Sequence, residues 1–217
     1  MTVGLKYFLL SYLVIKLEKF RDWLNVQNND LAHCADVQPD STDVETKMNI
    51  LEGLESTIPE GEGLIQDCET WLKKTLENTA PDGHDVLKAD FSTYKNNWSS
   101  YKSELVIKRG TIGDIMSQFY DCEDTVQDLR NWLRTTETKV KDQSLKSTLE
   151  DKEMHIENLA RLEEEISYKG REFNEALSQA QSLDSDGKHA NLVSQMMSRY
   201  QTLKNVVKEM LNRYQHF

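Results

Sequence analysis

Apolar residues recur along the start of this chain at alternating steps of three and four positions. That spacing places side chains along one face of an α-helix, as in coiled coils and helical bundles. The first such series is Leu10, Leu13, Leu17, Phe20, Leu24, Gln27 and Leu31. We therefore predict a long amphipathic helix whose buried face is formed by this series.

Two Trp-Leu pairs in similar surroundings, at Trp23 and at Trp132, indicate an internal repeat. The alignment that places Trp23 on Trp132, here called the first-segment alignment, pairs the first series with Phe119, Cys122, Val126, Leu129, Leu133, Thr136 and Val140. A second-segment alignment pairs Val44, Leu51, Leu54, Ile65, Cys68 and Leu72 with Leu149, Ile156, Leu159, Gly170, Phe173 and Leu177. A third-segment alignment pairs Phe91, Tyr94, Trp98, Tyr101 and Leu105 with Val193, Met196, Tyr200, Leu203 and Val207. Each copy is therefore predicted to contain three helices.

Turn-forming residues separate the three helical segments of each copy. Breaks are predicted at residues 35–41, 80–83, 141–146 and 184–187. A capping box, in which a hydroxyl and a carboxylate satisfy free amides of the first turn, is predicted at Thr42 with Glu45 and at Ser147 with Glu150. Short connections of this kind make neighbouring helices antiparallel.

The heptad-like series does not stop between the two copies. It continues from Leu87 to Val140 and is polar only at Lys108 and Thr136. Gly110 and Gly113 each lower helix propensity by about 1 kcal/mol, which weakens a helix without ending it. The predicted fold is therefore all-α, with two tandem antiparallel three-helix bundles, residues 1–110 and 111–217, joined by one continuous linker helix.

The segment from Ile58 to Gly63 interrupts the second helix of the first copy. Pro59 removes one backbone hydrogen bond, and a proline in a helix interior costs about 3 kcal/mol. Gly61 corresponds to Ile166 of the other copy in the second-segment alignment. We predict a kink or break here, which either shapes a groove for a partner or is a tolerated irregularity.

Composition and charge limit the possible partners and compartments. The formal net charge is −11, so the surface repels nucleic acids and anionic membranes. The apolar stretch from Leu5 to Leu17 is shorter than the roughly 20 residues that a membrane-spanning helix needs. Three widely spaced cysteines give no disulfide framework and favour a reducing, cytoplasmic environment. Cys68 and Cys122 occupy apolar positions of the series and are expected to be buried.

The sequence contains no arrangement typical of catalysis or of metal and cofactor binding. It has no nucleophile elbow, phosphate loop or dinucleotide fingerprint. His33 and Cys34 are adjacent, but no second ligand pair follows at zinc spacing. We expect a protein that is not an enzyme and that binds neither a metal nor a cofactor.

One cluster of apolar residues exceeds what a helical bundle requires. Phe8, Tyr12 and Ile15 form a second stripe at helical spacing beside the predicted buried face of the first helix. A helix that is apolar on several sides expects burial beyond its own bundle. We predict that these three residues bind a partner; packing against a neighbouring repeat or self-association would also cover them.

Two copies that each take about half of the chain, with a Trp midway along the first helix, an aromatic residue midway along the third and a shared linker helix, resemble spectrin repeats. The run from Glu69 to Leu87 and the segment from Ser198 to Leu203 are similar to repeats of giant nesprins. This resemblance implies a rod segment and interaction module that links the actin cytoskeleton or its regulators to the outer nuclear membrane. It implies cytoskeletal partners, such as a formin, and neighbouring repeats of the parent chain. The alternative is a self-associating coiled-coil scaffold of a dystrophin-like or plakin-like protein.

Overall fold

A computed structural model describes residues 3–37, 40–141, 148–183 and 187–215. Within these ranges every regular element is helical, which confirms the all-α prediction. The helices are α1 (Val3–Ala32), α2 (Ser41–Ser56), α3 (Ile58–Glu77), α4 (His84–Lys141), α5 (Leu149–Leu183) and α6 (Lys188–Gln215). A short 3₁₀ turn, Pro81–Gly83, precedes α4.

The chain divides into two compact units. The first contains α1, α2 from Thr42 onward, α3, and α4 as far as Ile115. The second contains α4 from Met116 onward, α5 and α6. Each unit has its own buried core.

Aromatic side chains form the centre of the first unit. Phe20 of α1 lies in the core, with its ring centroid 6.1 Å from that of Trp98 in α4. Trp98 is stacked on Tyr101 at 5.5 Å. Ion pairs border this core, including Lys16–Asp67 between α1 and α3 at 2.8 Å. The first unit is therefore held by apolar burial, with charged pairs at its rim.

The core of the second unit repeats this plan with fewer aromatic residues. Phe173 of α5 is fully buried, 5.0 Å from Tyr200 of α6 between ring centroids and 6.1 Å from Trp132 of α4. The Tyr200 hydroxyl donates a hydrogen bond of 2.9 Å to the backbone carbonyl of Ile166. Arg199 pairs with Glu137 on the surface between α6 and α4.

The periodicity of the first segment predicted most of the buried face in both copies. The residues buried as predicted in α1 and in the final part of α4 are Leu13, Phe20, Leu24, Gln27, Leu31, Phe119, Cys122, Val126, Leu129, Leu133, Thr136 and Val140. Leu17 is only half-buried, and Leu10 is 40% exposed while Leu9 is buried instead. The Thr75 hydroxyl lies 3.5 Å from the Leu9 carbonyl, so α3 packs closely against α1 at this position.

The second-segment alignment predicted from the sequence is wrong. Leu149, predicted to be buried, is 73% exposed, and Ile156 is only half-buried. The alignment that matches burial, here called the burial alignment, pairs Leu51 with Leu159, Leu54 with Leu162, Ile65 with Phe173, Cys68 with Ala176 and Leu72 with Ala180. The sequence could not distinguish the two alignments, because each of them pairs apolar residues of the first copy with apolar residues of the second at several positions.

The predicted capping residue Thr42 lies inside α2, and at the start of α5 the cap is Thr148, one residue after the predicted Ser147. Helix α2 begins at Ser41, immediately before Thr42. At the start of α5 the Thr148 hydroxyl accepts a hydrogen bond of 3.1 Å from the backbone N–H of Asp151, whereas Ser147 lies outside the described residues. The cap is therefore formed by the next hydroxyl residue of the same Ser-Thr run.

The predicted interruption at Pro59 is confirmed. The helix is broken at Thr57, and Pro59 lies in the first turn of α3, where its missing N–H breaks no hydrogen bond. Gly61 is buried under the rings of Trp23 and Trp98. The break therefore begins a new helix, and the backbone of its glycine lies directly against two indole rings.

Helix α4 continues across the boundary between the units, as predicted. Gly110 and Gly113 both lie inside it, and Ile112 is buried. The lower helix propensity of the two glycines is therefore tolerated within a long helix.

The tryptophans differ in how deeply they are buried. Trp98 is buried, as its place in the third series predicts, whereas Trp23 and Trp132 are only half-buried. Each of these two precedes the buried leucine of its Trp-Leu pair, which turns the indole toward the edge of the core.

Candidate partner-binding surface

The N-terminal half of α1 carries apolar side chains on more than one side. Leu9 and Leu13 face the core of the first unit. The large apolar residues that remain exposed in this stretch are Tyr7, Phe8, Leu10, Val14 and Ile15. Because α1 needs one apolar face for its own bundle, this excess is the most concentrated candidate for an interaction surface in the described chain.

The predicted site residues follow one another at helical spacing along α1, and Tyr12 among them contacts α3. Phe8 and Ile15 are 58% and 57% exposed, whereas Tyr12 is half-buried. The rings of Phe8 and Tyr12 are stacked with centroids 5.9 Å apart. The structure thus brings all three residues along one side of the helix, and Tyr12 connects them to the body of the unit.

Trp71 of α3 belongs to the same surface, which the sequence did not reveal. Its ring centroid lies 4.2 Å from that of Tyr12, and the Lys74 ammonium lies 4.5 Å from the Trp71 ring. The Trp71 side chain is half-buried. Its pairing with Tyr12 depends on how α1 and α3 align in space, and no local pattern carries that information.

Lys16 and Asp67 close one end of this surface. Their salt bridge of 2.8 Å connects α1 and α3, and the hydrogen bond to Asp67 raises the pKa of Lys16. The Lys16 ammonium also lies 5.3 Å from the Tyr12 ring. The exposed Lys19 follows one turn farther along α1 from Ile15.

A second depression lies on another side of α1, between α1 and α4. Val14, Leu17 and Tyr94 form its apolar part, and Asn25 and Asn97 are among its polar lining residues. It is a broad, open groove that is also lined by carboxylates and an arginine. Its mixed lining gives it no defined ligand chemistry.

The structure identifies no chemical centre among the residues that it describes. Cys34, Cys68 and Cys122 are buried free thiols, as expected for Cys68 and Cys122. The described residues contain no group of three or more potential metal ligands. None of the described helices is long and apolar enough to cross a bilayer. The surface features of α1 and α3 therefore remain the strongest functional candidates.

Comparison with known proteins identifies the class of repeat to which the second unit is similar. Residues 117–216 match the family model of the spectrin repeat. This range covers the final part of α4 together with α5 and α6.

One large relative matches nearly the whole chain. Over 205 residues, 93% of this chain, the sequence is 29% identical to "Muscle-specific protein 300 kDa" of Drosophila melanogaster. The chain spans about 2% of the length of that relative. The similarity therefore concerns one short segment of a very long protein.

Proposed function

We propose that this chain consists of two tandem spectrin repeats, residues 1–110 and 111–217, and acts as a structural rod segment and protein-interaction module of a larger cytoskeletal protein. The observation that carries the proposal is the uninterrupted α4, which contributes buried residues on both sides of the unit boundary, including Leu105, Ile112 and Phe119. A shared helix connects the folding of adjacent repeats.

The first unit supports this proposal through its agreement with the second, spectrin-like unit. Equivalent positions of the first and third helical segments are buried in both units, such as Phe20 with Leu129 and Trp98 with Tyr200. The second helical segment agrees in the burial alignment. The common pattern of burial in the first and third segments, which were aligned from the sequence alone, supports a common bundle with α2 and α3 together serving as the second helix of the first repeat.

The cellular role that we propose is a connection between the actin cytoskeleton, or its regulators, and the nuclear envelope. It is supported by the resemblance of the run from Glu69 to Leu87 to nesprin repeats. The segment would act on the cytoplasmic side of the outer nuclear membrane, without catalysis. Its partners would be neighbouring repeats and cytoskeletal proteins or actin regulators, a formin among them, with Phe8, Tyr12 and Ile15 as contact residues.

Light scattering over a range of protein concentrations tests the proposal against the self-associating scaffold. A spacer segment should keep the mass of one chain at every concentration, because its units are complete without a second copy. A mass that rises toward a dimer with concentration would favour the scaffold of a dystrophin-like or plakin-like protein and would contradict the spacer function.

A further inference from the structure

The two units carry opposite surface chemistry at equivalent positions of their first helices. In the first-segment alignment, the exposed or half-buried residues Phe8, Tyr12, Ile15 and Lys19 correspond to Ser117, Asp121, Asp124 and Asp128. All four residues of the second unit are exposed. Leu13, Phe20 and Leu24 are buried like their counterparts in the second unit, whereas Leu10 is exposed and Leu17 is half-buried. Most of the buried face is therefore shared, so the bundle itself does not require an apolar or basic surface here.

The same contrast appears on the second helical segment. In the burial alignment, Trp71 corresponds to Gln179 and Lys74 to Ser182. The Trp71 ring contacts Tyr12, so the differences on both helices concern one continuous surface in the first unit. We name it the α1–α3 strip: Phe8, Tyr12, Ile15 and Trp71, bordered by Lys19 and Lys74.

Lys19 and Lys74 give the α1–α3 strip a basic border, although the exposed Glu18 and Asp22 lie near Lys19 on α1. Asp22 is paired with Arg21. The net charge of the protein is −11, yet the strip is bordered by two exposed lysines. Among the described residues, Lys19 and Lys74 have no ion-pair partner, and Lys74 instead contacts the Trp71 ring. Asp67 at the end of the strip is already paired with Lys16.

These charges discriminate between possible occupants. Two copies of the strip packed against each other would place like-charged lysines together, which weakens self-association. An anionic partner segment would instead gain from Lys19 and Lys74 while its apolar side chains cover the aromatic rings. Tyr and Trp are among the side chains most often found at the energetic centre of protein interfaces.

We infer that the α1–α3 strip is a docking site for an amphipathic partner helix whose apolar face is flanked by aspartate or glutamate residues. The inference rests on the proposed interaction function and specifies the chemistry of the partner. Phe8, Tyr12, Ile15 and Lys19 follow steps of four, three and four, so the strip extends about 16 Å along α1 at about 1.5 Å per residue. Three turns of a partner helix match this length, with anchors one helical turn apart.

A peptide-display selection on the whole chain tests the inference. The probe is a library of helical peptides about five turns long, with all positions randomised. Each round includes depletion on the double variant Phe8→Ser, Ile15→Asp, which introduces the residue types found in the second unit. Both positions are exposed, so the variant should keep its helix content by circular dichroism.

The enriched peptides should carry apolar residues at helical spacing with acidic residues beside them. Fluorescence anisotropy should then show at least a roughly tenfold weaker affinity for the double variant and for Lys19→Glu, Lys74→Glu. Affinity of the parent chain should fall as salt rises. The control Tyr168→Ser removes an equally exposed aromatic ring from the second unit and should leave affinity unchanged.

Three results would overturn the inference: no enrichment over the depleted library, enrichment of basic peptides, or equal affinity for the double variant. Sedimentation velocity adds a fourth, because a dimer that dissociates on Phe8→Ser, Ile15→Asp would identify a second copy as the occupant. A monomeric chain that selects no peptide leaves the spacer role standing and rejects only the docking site. The two proposals can therefore fail separately.

Discussion

At the scale of single residues, Gly61 shows how closely the first unit is packed. A Cβ atom at this position would lie 2.5 Å from a ring carbon of Trp23 and 2.5 Å from one of Trp98. Both contacts are well below van der Waals distance, and each ring is confined by other aromatic side chains. The glycine is thus required by the approach of two indoles, although glycine is unfavourable inside a helix.

We predict that Gly61→Ala lowers the free energy of unfolding by about 1–3 kcal/mol, because overpacking outweighs the gain in helix propensity. Gly63→Ala is the matched control, since no atom lies within 4 Å of its added Cβ. That variant should raise stability by about 0.5–1 kcal/mol. Urea titrations of both variants measure the difference, and equal stabilisation by both would contradict the proposed contact.

The buried thiol of Cys68 makes stability depend on pH in alkaline solution. Burial raises the pKa of Cys68 from 9.0 to about 11. The folded state therefore keeps its proton where the unfolded chain loses it, so this stability is complete below pH 9 and is lost as the pH rises toward 11.

Over that interval the wild-type chain should lose up to about 3 kcal/mol of unfolding free energy from this group, at roughly 1.4 kcal/mol per pKa unit. Cys68→Ala should be less stable at neutral pH but should show a shallower decline above pH 9. Urea titrations at pH 8 and pH 10.5 give the two slopes. Parallel slopes would show that the thiol does not titrate as its burial implies.

At the scale of elements, hydrogen bonds of Thr57 stabilise the break between α2 and α3. The backbone N–H of Thr57 bonds the Leu54 carbonyl, and the Thr57 carbonyl accepts from both Glu60 and Gly61. The Thr57 hydroxyl also contacts Gln27 of α1 at 3.0 Å. Pro59 enters after the break, so it starts α3 without disrupting a helix interior.

Pro59→Ala should therefore change the free energy of unfolding by only about 1 kcal/mol or less. Gln66→Pro, at an exposed position inside the same helix, should cost about 3 kcal/mol or more. Chemical denaturation of both variants provides the comparison. A gain of several kcal/mol from Pro59→Ala would mean that the proline strains a helix that would otherwise be continuous.

At the scale of the whole molecule, the proposed spacer function depends on cooperation between the units through α4. If the helix couples their folding, the parent chain should melt in one calorimetric transition. Ile112→Pro removes a backbone donor and a buried side chain within α4, so we predict two separate transitions.

The control Ile112→Ala keeps the backbone donor and removes only the apolar contact. It should melt at a lower temperature but still in one transition, because the helical hydrogen bonds remain. Two transitions already present in the parent chain, or a single transition retained in Ile112→Pro, would contradict coupling through α4 and would remove the basis of the spacer mechanism.

The sequence by itself determined the helices and most of their buried faces. Helix formation and amphipathicity depend on neighbours three and four positions apart, so Phe20, Leu133 and Val207 could be placed in cores from spacing alone. The continuity of α4 could likewise be predicted from the local sequence, because Gly110 lowers helix propensity but does not remove a backbone hydrogen bond. The apolar excess at Phe8 was visible in the same way.

Only the tertiary structure decided which of several suitable residues meet across helices. Leu9 instead of Leu10 faces the core, at a position where α3 lies close to the backbone of α1. The burial alignment replaces the second-segment alignment because equivalent positions in two bundles are those with the same burial. Tyr12 meets Trp71, and Gly61 meets two indoles, although these partners lie on different helices and far apart in the chain. These contacts depend on the relative shift of packed helices in three dimensions, and a periodic pattern is compatible with several such shifts.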